Sequence, residues 1–107
     1  MPEFLERIRR LVQSGEVRVS EHGYEEIAED DISVQEILDG VITGVAVESY
    51  PDFPKGHCVL VLQSDREGQP VHVVWGIPAG FSKPAVVVTA YRPDPRKWSD
   101  DFRERRR

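Results

Sequence analysis

Pro70-Val71-His72-Val73-Val74-Trp75, then the Gly76–Pro84 connection, then Ala85-Val86-Val87-Val88-Thr89-Ala90-Tyr91-Arg92-Pro93-Asp94-Pro95-Arg96-Lys97-Trp98, is the stretch that decides the fold. Two β-branched apolar runs flank a connection too rich in glycine and proline to be a helix, which is the pattern of neighbouring strands in an antiparallel sheet. Period-two alternation puts Val71, Val73 and Trp75 on the core face and His72 with Val74 on the other. The same rule groups Val86, Val88 and Ala90 as core against Val87, Thr89 and Tyr91. His72 then shares a face with Thr89 and Tyr91 in one register and loses them in the register one residue away.

Outward from this stretch, Val45–Tyr50 and His57–Ser64 are two more runs of strand length. Asp65-Arg66-Glu67-Gly68 is a hairpin turn in which the glycine supplies a positive φ. Short connections join antiparallel neighbours, so the four runs predict a meander in chain order. Before them, Phe4, Leu5, Ile8, Leu11 and Val12 recur at helical spacing, and Gly15 closes that helix. Val17-Arg18-Val19 is a short extended piece. Ser20 is placed to cap a helix over about residues 21–29, although Gly23 weakens it by about 1 kcal/mol relative to alanine. Ser33-Val34-Gln35-Glu36 is a capping box that opens a third helix, with Val34, Ile37, Leu38 and Val41 as its buried stripe. The expected architecture is α+β, N-terminal helices packed on a four-stranded antiparallel meander, in a single domain of residues 1–107 with its core at about 3–98 and a charged C-terminal tail at 99–107.

A chain of this size buries about two-thirds of the surface its unfolded form exposes, so it needs no covalent staple. Cys58 is the only cysteine, which rules out an intrachain disulfide and permits a reducing compartment. No apolar run approaches the roughly 18 residues of a membrane span, and the charged amphipathic start is unlike a signal peptide, so a cytoplasmic protein without a membrane partner is expected. The net charge of −5 excludes a globally basic nucleic-acid binder. The charge is unevenly spread: residues 21–39 hold eight acidic and no basic side chains, whereas residues 92–107 hold seven basic and four acidic.

His22 falls in the first turn of the helix that Ser20 caps, where the helix dipole disfavours the imidazolium and suits a general base; the competing assignment is a polar residue that closes the helix. His72 is either a hydrogen-bonded structural histidine or a site residue beside Thr89 and Tyr91. Lys83, Arg92, Arg96 and Lys97 can form a local phosphate-binding rim, and Arg92 can equally pair with Asp94 or the acidic helices. Trp98 is an anchor for the tail or a platform for a base. His57 and Cys58 point to opposite faces of a regular strand, and no metal-ligand spacing, glycine-rich phosphate loop or nucleophile elbow occurs, so neither a metal nor a cofactor is expected.

Taken together, Val19-Ser20-Glu21-His22, Asp31-Ile32-Ser33-Val34-Gln35-Glu36-Ile37, Pro70-Val71-His72-Val73-Val74 and Thr89-Ala90-Tyr91-Arg92-Pro93-Asp94 with Trp98 resemble, in order, the domain family numbered 4258, over about residues 17–98. That family is similar to the RelE/barnase-like ribonuclease toxins, whose helices precede a four-stranded antiparallel sheet. The resemblance implies site histidines at His22 and His72 and a Thr-x-Tyr end at Thr89 and Tyr91. Gly23 stands where the family commonly has alanine, and the acidic balance departs from a typical RNA-cleaving toxin.

The expected function is a metal-independent endoribonuclease, the toxin of a toxin–antitoxin pair, acting on RNA. His22, His72 and Tyr91 supply base, acid and orientation, and Arg92, Thr89 and Lys83 hold substrate. The alternative is a non-enzymatic module on the same fold that binds an antitoxin-like protein through the acidic helices or the Val45–Tyr50 edge, or that dimerises through that edge.

Overall fold

The structure, a computed structural model, describes residues 2–106. Helix α1 (Pro2–Gln13) ends at Gly15, which takes the left-handed φ of 78° that a helix stop favours. Strand β1 (Val17–Val19) leads into α2 (Glu21–Glu29), whose cap is Ser20: its Oγ accepts from the Gly23 amide at 2.9 Å and donates to the Val88 carbonyl at 2.8 Å. One hydroxyl therefore starts the helix and fastens it to the sheet. Helix α3 (Val34–Gly40) opens on the expected capping box, with Ser33 Oγ accepting from the Glu36 amide and the Glu36 carboxylate accepting from the Ser33 amide, both at 3.1 Å. A 3-10 turn (Val41–Thr43) precedes strands β2 (Val45–Tyr50), β3 (Cys58–Ser64), β4 (Pro70–Gly76) and β5 (Ala85–Tyr91).

The fold is α+β as expected, but the sheet differs from a four-stranded antiparallel meander. It has five strands in the order β1-β5-β4-β3-β2, and β1 pairs parallel to β5 through Val17↔Ala85, Arg18↔Val86 and Val19↔Val87. Three residues carry too little pattern to announce a strand, and this one forms because β5 offers its free edge to it. The β3–β4 turn is as read, with Asp65 capping it and Gly68 at φ 79°.

Strand β5 also corrects the face assignment. Thr89 pairs with Val74 but Val87 pairs with Trp75, so Val88 is an extra residue in a β-bulge. The bulge reverses the alternation beyond it: Ala90 and Val87 face the core, and Val86 and Val88 turn to the opposite face. Val71, Val73 and Trp75 are buried in the core as expected.

Helices α1 and α3 cover that core face with Phe4, Leu5, Ile8 and Ile37. Trp75 is fully buried, and its indole N–H donates to Gln63 Oε1 at 2.8 Å while Gln63 Nε2 donates to the Ile37 carbonyl at 3.0 Å. A buried indole and amide thus satisfy each other and pin α3 to the sheet. Helix α2 lies so close to β5 that a Cβ on Gly23 would stand 2.9 Å from the Val87 carbonyl oxygen. Among the described residues, no helix is long and apolar enough to cross a membrane.

The segment after Trp98 is folded back rather than trailing. Trp98 bridges to Arg105, the Ser99 amide donates to Glu104 O at 2.7 Å, and the Arg106 amide donates to Lys97 O at 2.8 Å. Backbone hydrogen bonding continues to Arg106, within the segment the sequence marks as a charged tail.

Candidate functional site

Strand register sorts the outer face of the sheet, the one turned away from α1 and α3, into rows. Leu62, His72 and Tyr91 form one row, and Glu48, Leu60, Val74 and Thr89 a second. Tyr50, Cys58, Gly76, Val86 and Arg18 form a third, at the other end of the strands. The C-terminal segment lies on His72 of the first row and reaches Glu48 of the second. Cys58, Gly76 and Val86 of the third lie on the floor of an open pocket.

His72 lies beneath the C-terminal cover and is 0% exposed. Its Nε2 is 2.9 Å from the Phe102 carbonyl, an acceptor only, so Nε2 carries the proton and Nδ1 accepts from the Tyr91 hydroxyl at 3.3 Å. The Trp98 ring stands edge-on to the imidazole at 4.4 Å. Arg105 lies over the Trp98 ring at 4.7 Å and grips Glu48 through two hydrogen bonds of 2.9 and 3.0 Å, and the Tyr50 hydroxyl donates to the same carboxylate. Burial holds the His72 pKa below the ordinary value of 6.5 and raises that of Tyr91 above 10.0. Tyr50 is pushed up to about 12 by burial and then by Glu48, whose own pKa the Arg105 hydrogen bonds lower. With both ring nitrogens engaged, His72 joins the C-terminal cover to the sheet.

The open pocket, of about 610 Å³, lies over the third row. Cys58, Gly76, Val86 and Val88 make its floor, and Ile77 with Pro78 one wall. Burial raises the pKa of the Cys58 thiol, which keeps it protonated and unreactive. Arg18 of β1, His22 and Glu21 at the start of α2, and Phe53 with Lys55 of the β2–β3 loop complete the lining. That loop is braced against the β4–β5 connection: the Ala79 amide donates to Lys55 O at 2.9 Å, the Ile77 amide donates to His57 O at 3.2 Å, and Gly56, at φ 135°, packs directly on the Ile77 carbonyl. His22 is exposed, and its Nε2 lies 3.5 Å from Glu26 Oε1, one helical turn on. Arg18 and Lys55 form no ion pair among the described residues, so an open histidine stands beside two uncommitted cations.

The residues singled out in sequence thus divide into separate places. His72 and Tyr91 are in contact, with Thr89 in the neighbouring row, but His22 is in the pocket and away from them. Arg92 is a clamp between elements: its amide donates to Asp30 Oδ2 at 2.8 Å, Nε to Asp30 O at 3.1 Å, and Nη1 to Asp65 Oδ2 at 2.9 Å. It ties the end of α2 to the β3–β4 turn. Lys83 pairs with Glu16 at 2.8 Å, which raises the lysine pKa and lowers that of the glutamate. Trp98 takes the anchoring role and is buried. Arg18, Phe53 and Lys55 had no motif to mark them. The available signal was a lone arginine in an extended triplet, and an aromatic and a lysine in a proline- and glycine-bounded loop.

Among the described residues, no group of three or more His, Cys, Asp or Glu side chains is arranged to hold a metal ion. No curated protein and no solved structure matches the chain significantly. A family model described as a domain of unknown function, DUF4258, matches residues 19–92, from the strand that carries Arg18's neighbour Val19 to the Arg92 clamp. With more than half of its length matched, the chain belongs to the DUF4258 family.

Proposed function

We propose that this chain is a metal-independent endoribonuclease-like domain, the toxin member of a toxin–antitoxin type pair, that cleaves RNA in the open pocket with His22 as its acid–base group. A RelE/barnase-like relationship and a cytoplasmic setting belong to the same reading. The observation that carries it is the meeting of an exposed histidine with Arg18 and Lys55, both without an ion-pair partner among the described residues, around one pocket. RNA supplies its own nucleophile. His22 takes the proton of the 2′-hydroxyl, the 2′-oxygen bonds to phosphorus, the bond from phosphorus to the 5′-oxygen breaks, and the departing oxygen takes a proton from water in the open pocket. Arg18 and Lys55 offset the charge that builds on the phosphorane. In this reading His72, Tyr91 and Thr89 support the sheet face under the C-terminal cover, and Arg92 and Lys83 support the frame.

Cleavage of mixed RNA by the purified protein is compared with His22→Ala and His72→Gln. Loss of one positioned acid–base group removes about 10²–10⁴ of rate, so His22→Ala falls to that extent and His72→Gln retains activity. Equal cleavage by wild type and His22→Ala overturns the reading.

One observation favours a second reading. Strand β2 ends the sheet with its outer edge unpaired and Val45 exposed, and the acidic run of α2 and α3 suits a basic partner. A non-enzymatic module would add a partner strand there, from an antitoxin-like protein or a second copy of this chain. Stable co-purification with such a partner, together with no salt-sensitive RNA binding, supports this module over the enzyme.

A further inference from the structure

The pocket has two chemical halves. Its floor and wall are apolar, while its polar and charged groups, Arg18, His22, Lys55 and Glu21, come from the elements that enclose them. Phe53 is 45% exposed although it lines the pocket, in a loop that backbone hydrogen bonds hold in place, with Gly56 N donating to Phe53 O at 2.9 Å. An aromatic face held open to solvent beside two cations matches the demands of one nucleotide: a flat apolar base and an anionic backbone. The volume falls within the roughly 300–1,000 Å³ of small-molecule sites. A base reaches such a pocket only when it is out of its stack, because paired bases in an A-form helix lie in a groove that side chains do not enter.

We propose that the pocket admits a single unpaired nucleotide, with its base against Phe53 and the apolar floor and its phosphates on Arg18 and Lys55, so that the substrate is single-stranded rather than duplex RNA. Glu21, the one carboxylate of the lining, accepts from amino or imino donors on the base edge and keeps phosphate out of its own corner. The inference rests on the RNA-cleaving reading for its substrate, and a binding measurement separates the two.

The test is fluorescence anisotropy with a labelled 2′-O-methyl RNA strand, which has no 2′-hydroxyl to react, alone and annealed to its complement. The single strand binds at least about ten-fold tighter than the duplex, Phe53→Ala lowers single-strand affinity by about ten-fold, and Lys55→Ala reduces the slope of log affinity against log salt by about 0.7. Phe53 and Lys55 are exposed loop side chains, and unchanged circular dichroism verifies that their variants fold. Equal affinity for strand and duplex, or no effect of Phe53→Ala, overturns the inference. Cleavage of all-ribose substrates is then scored in parallel. Equal cleavage of strand and duplex rejects the single-nucleotide site and leaves the catalytic reading standing; tight single-strand binding without cleavage rejects catalysis and supports the site.

Discussion

Acidification from pH 7.5 to 5.5 is expected to destabilise the protein through His72, and His72→Gln is expected to remove most of that loss. The native imidazole is fully buried, donates through Nε2 to the Phe102 carbonyl and accepts at Nδ1 from Tyr91, and burial holds its pKa below 6.5. The unfolded chain therefore binds a proton that the folded chain refuses. Stability is complete above the unfolded value and is lost as pH falls from there toward the folded one. For a histidine that stays neutral throughout the interval, an unfolded pKa of about 6.5 gives a loss of up to about 1.4 kcal/mol between pH 7.5 and 5.5. His57, whose pKa burial also lowers, adds a change of the same sign. The carboxylates held low by partners, Glu48 and Asp65 among them, contribute only at more acid pH, below their ordinary values of 4.5 and 3.8. Urea unfolding followed by tryptophan fluorescence reads the effect, with the denaturant slope checked for constancy across pH. Glutamine keeps a donor toward Phe102 but does not titrate, so its variant is less stable at pH 7.5 and has a flatter pH dependence. An undiminished pH loss in His72→Gln refutes the reasoning.

Three other substitutions test separate contacts. Gly23→Ala gains about 1 kcal/mol of helix propensity but sets a Cβ 2.9 Å from a backbone oxygen of β5; overpacking of about 1–3 kcal/mol outweighs the gain, and thermal melting shows a net loss. Ser33→Ala removes one half of the α3 capping box and costs about 1 kcal/mol by urea unfolding. Trp98→Ala empties the contact between the cover and His72, costs about 3–5 kcal/mol, and speeds proteolysis after residue 98 relative to wild type.

What the sequence disclosed was what short-range chemistry dictates. Ser20, Ser33 with Glu36, and Asp65 with Gly68 act on backbone groups within four residues, so their types and spacing suffice to place two helix starts and a hairpin. β1 is legible only as a short extended piece, because its place in the sheet comes from parallel pairing with a partner nearly seventy residues away. The bulge at Val88 defeated an alternation that was sound on either side of it. In the C-terminal segment, charge obscured packing: Arg105 reads as part of a basic tail, yet its guanidinium joins Glu48 to Trp98.

The candidate site shows the same limit at greater distance. Whether His72 shares a face with Tyr91 depends on a register the sequence leaves open; the pairing His72↔Tyr91 puts them on one face, and nothing in the sequence signals that a turn after Trp98 sets a carbonyl on the imidazole. The Val88 bulge bears on the other half of the face as well. By turning Val86 and Val88 outward together with Gly76, which has no side chain, it makes an apolar floor at the end of the sheet that the cover does not reach. Ser20 then bonds to the carbonyl of that same bulged residue, and so anchors the helix start that carries His22 over this floor. A break in strand regularity, a cap and a close helix approach at Gly23 thereby place one histidine in the open, while the C-terminal fold-back seals the other. The two histidines that look equivalent in the sequence are divided by backbone geometry into an open and a buried position.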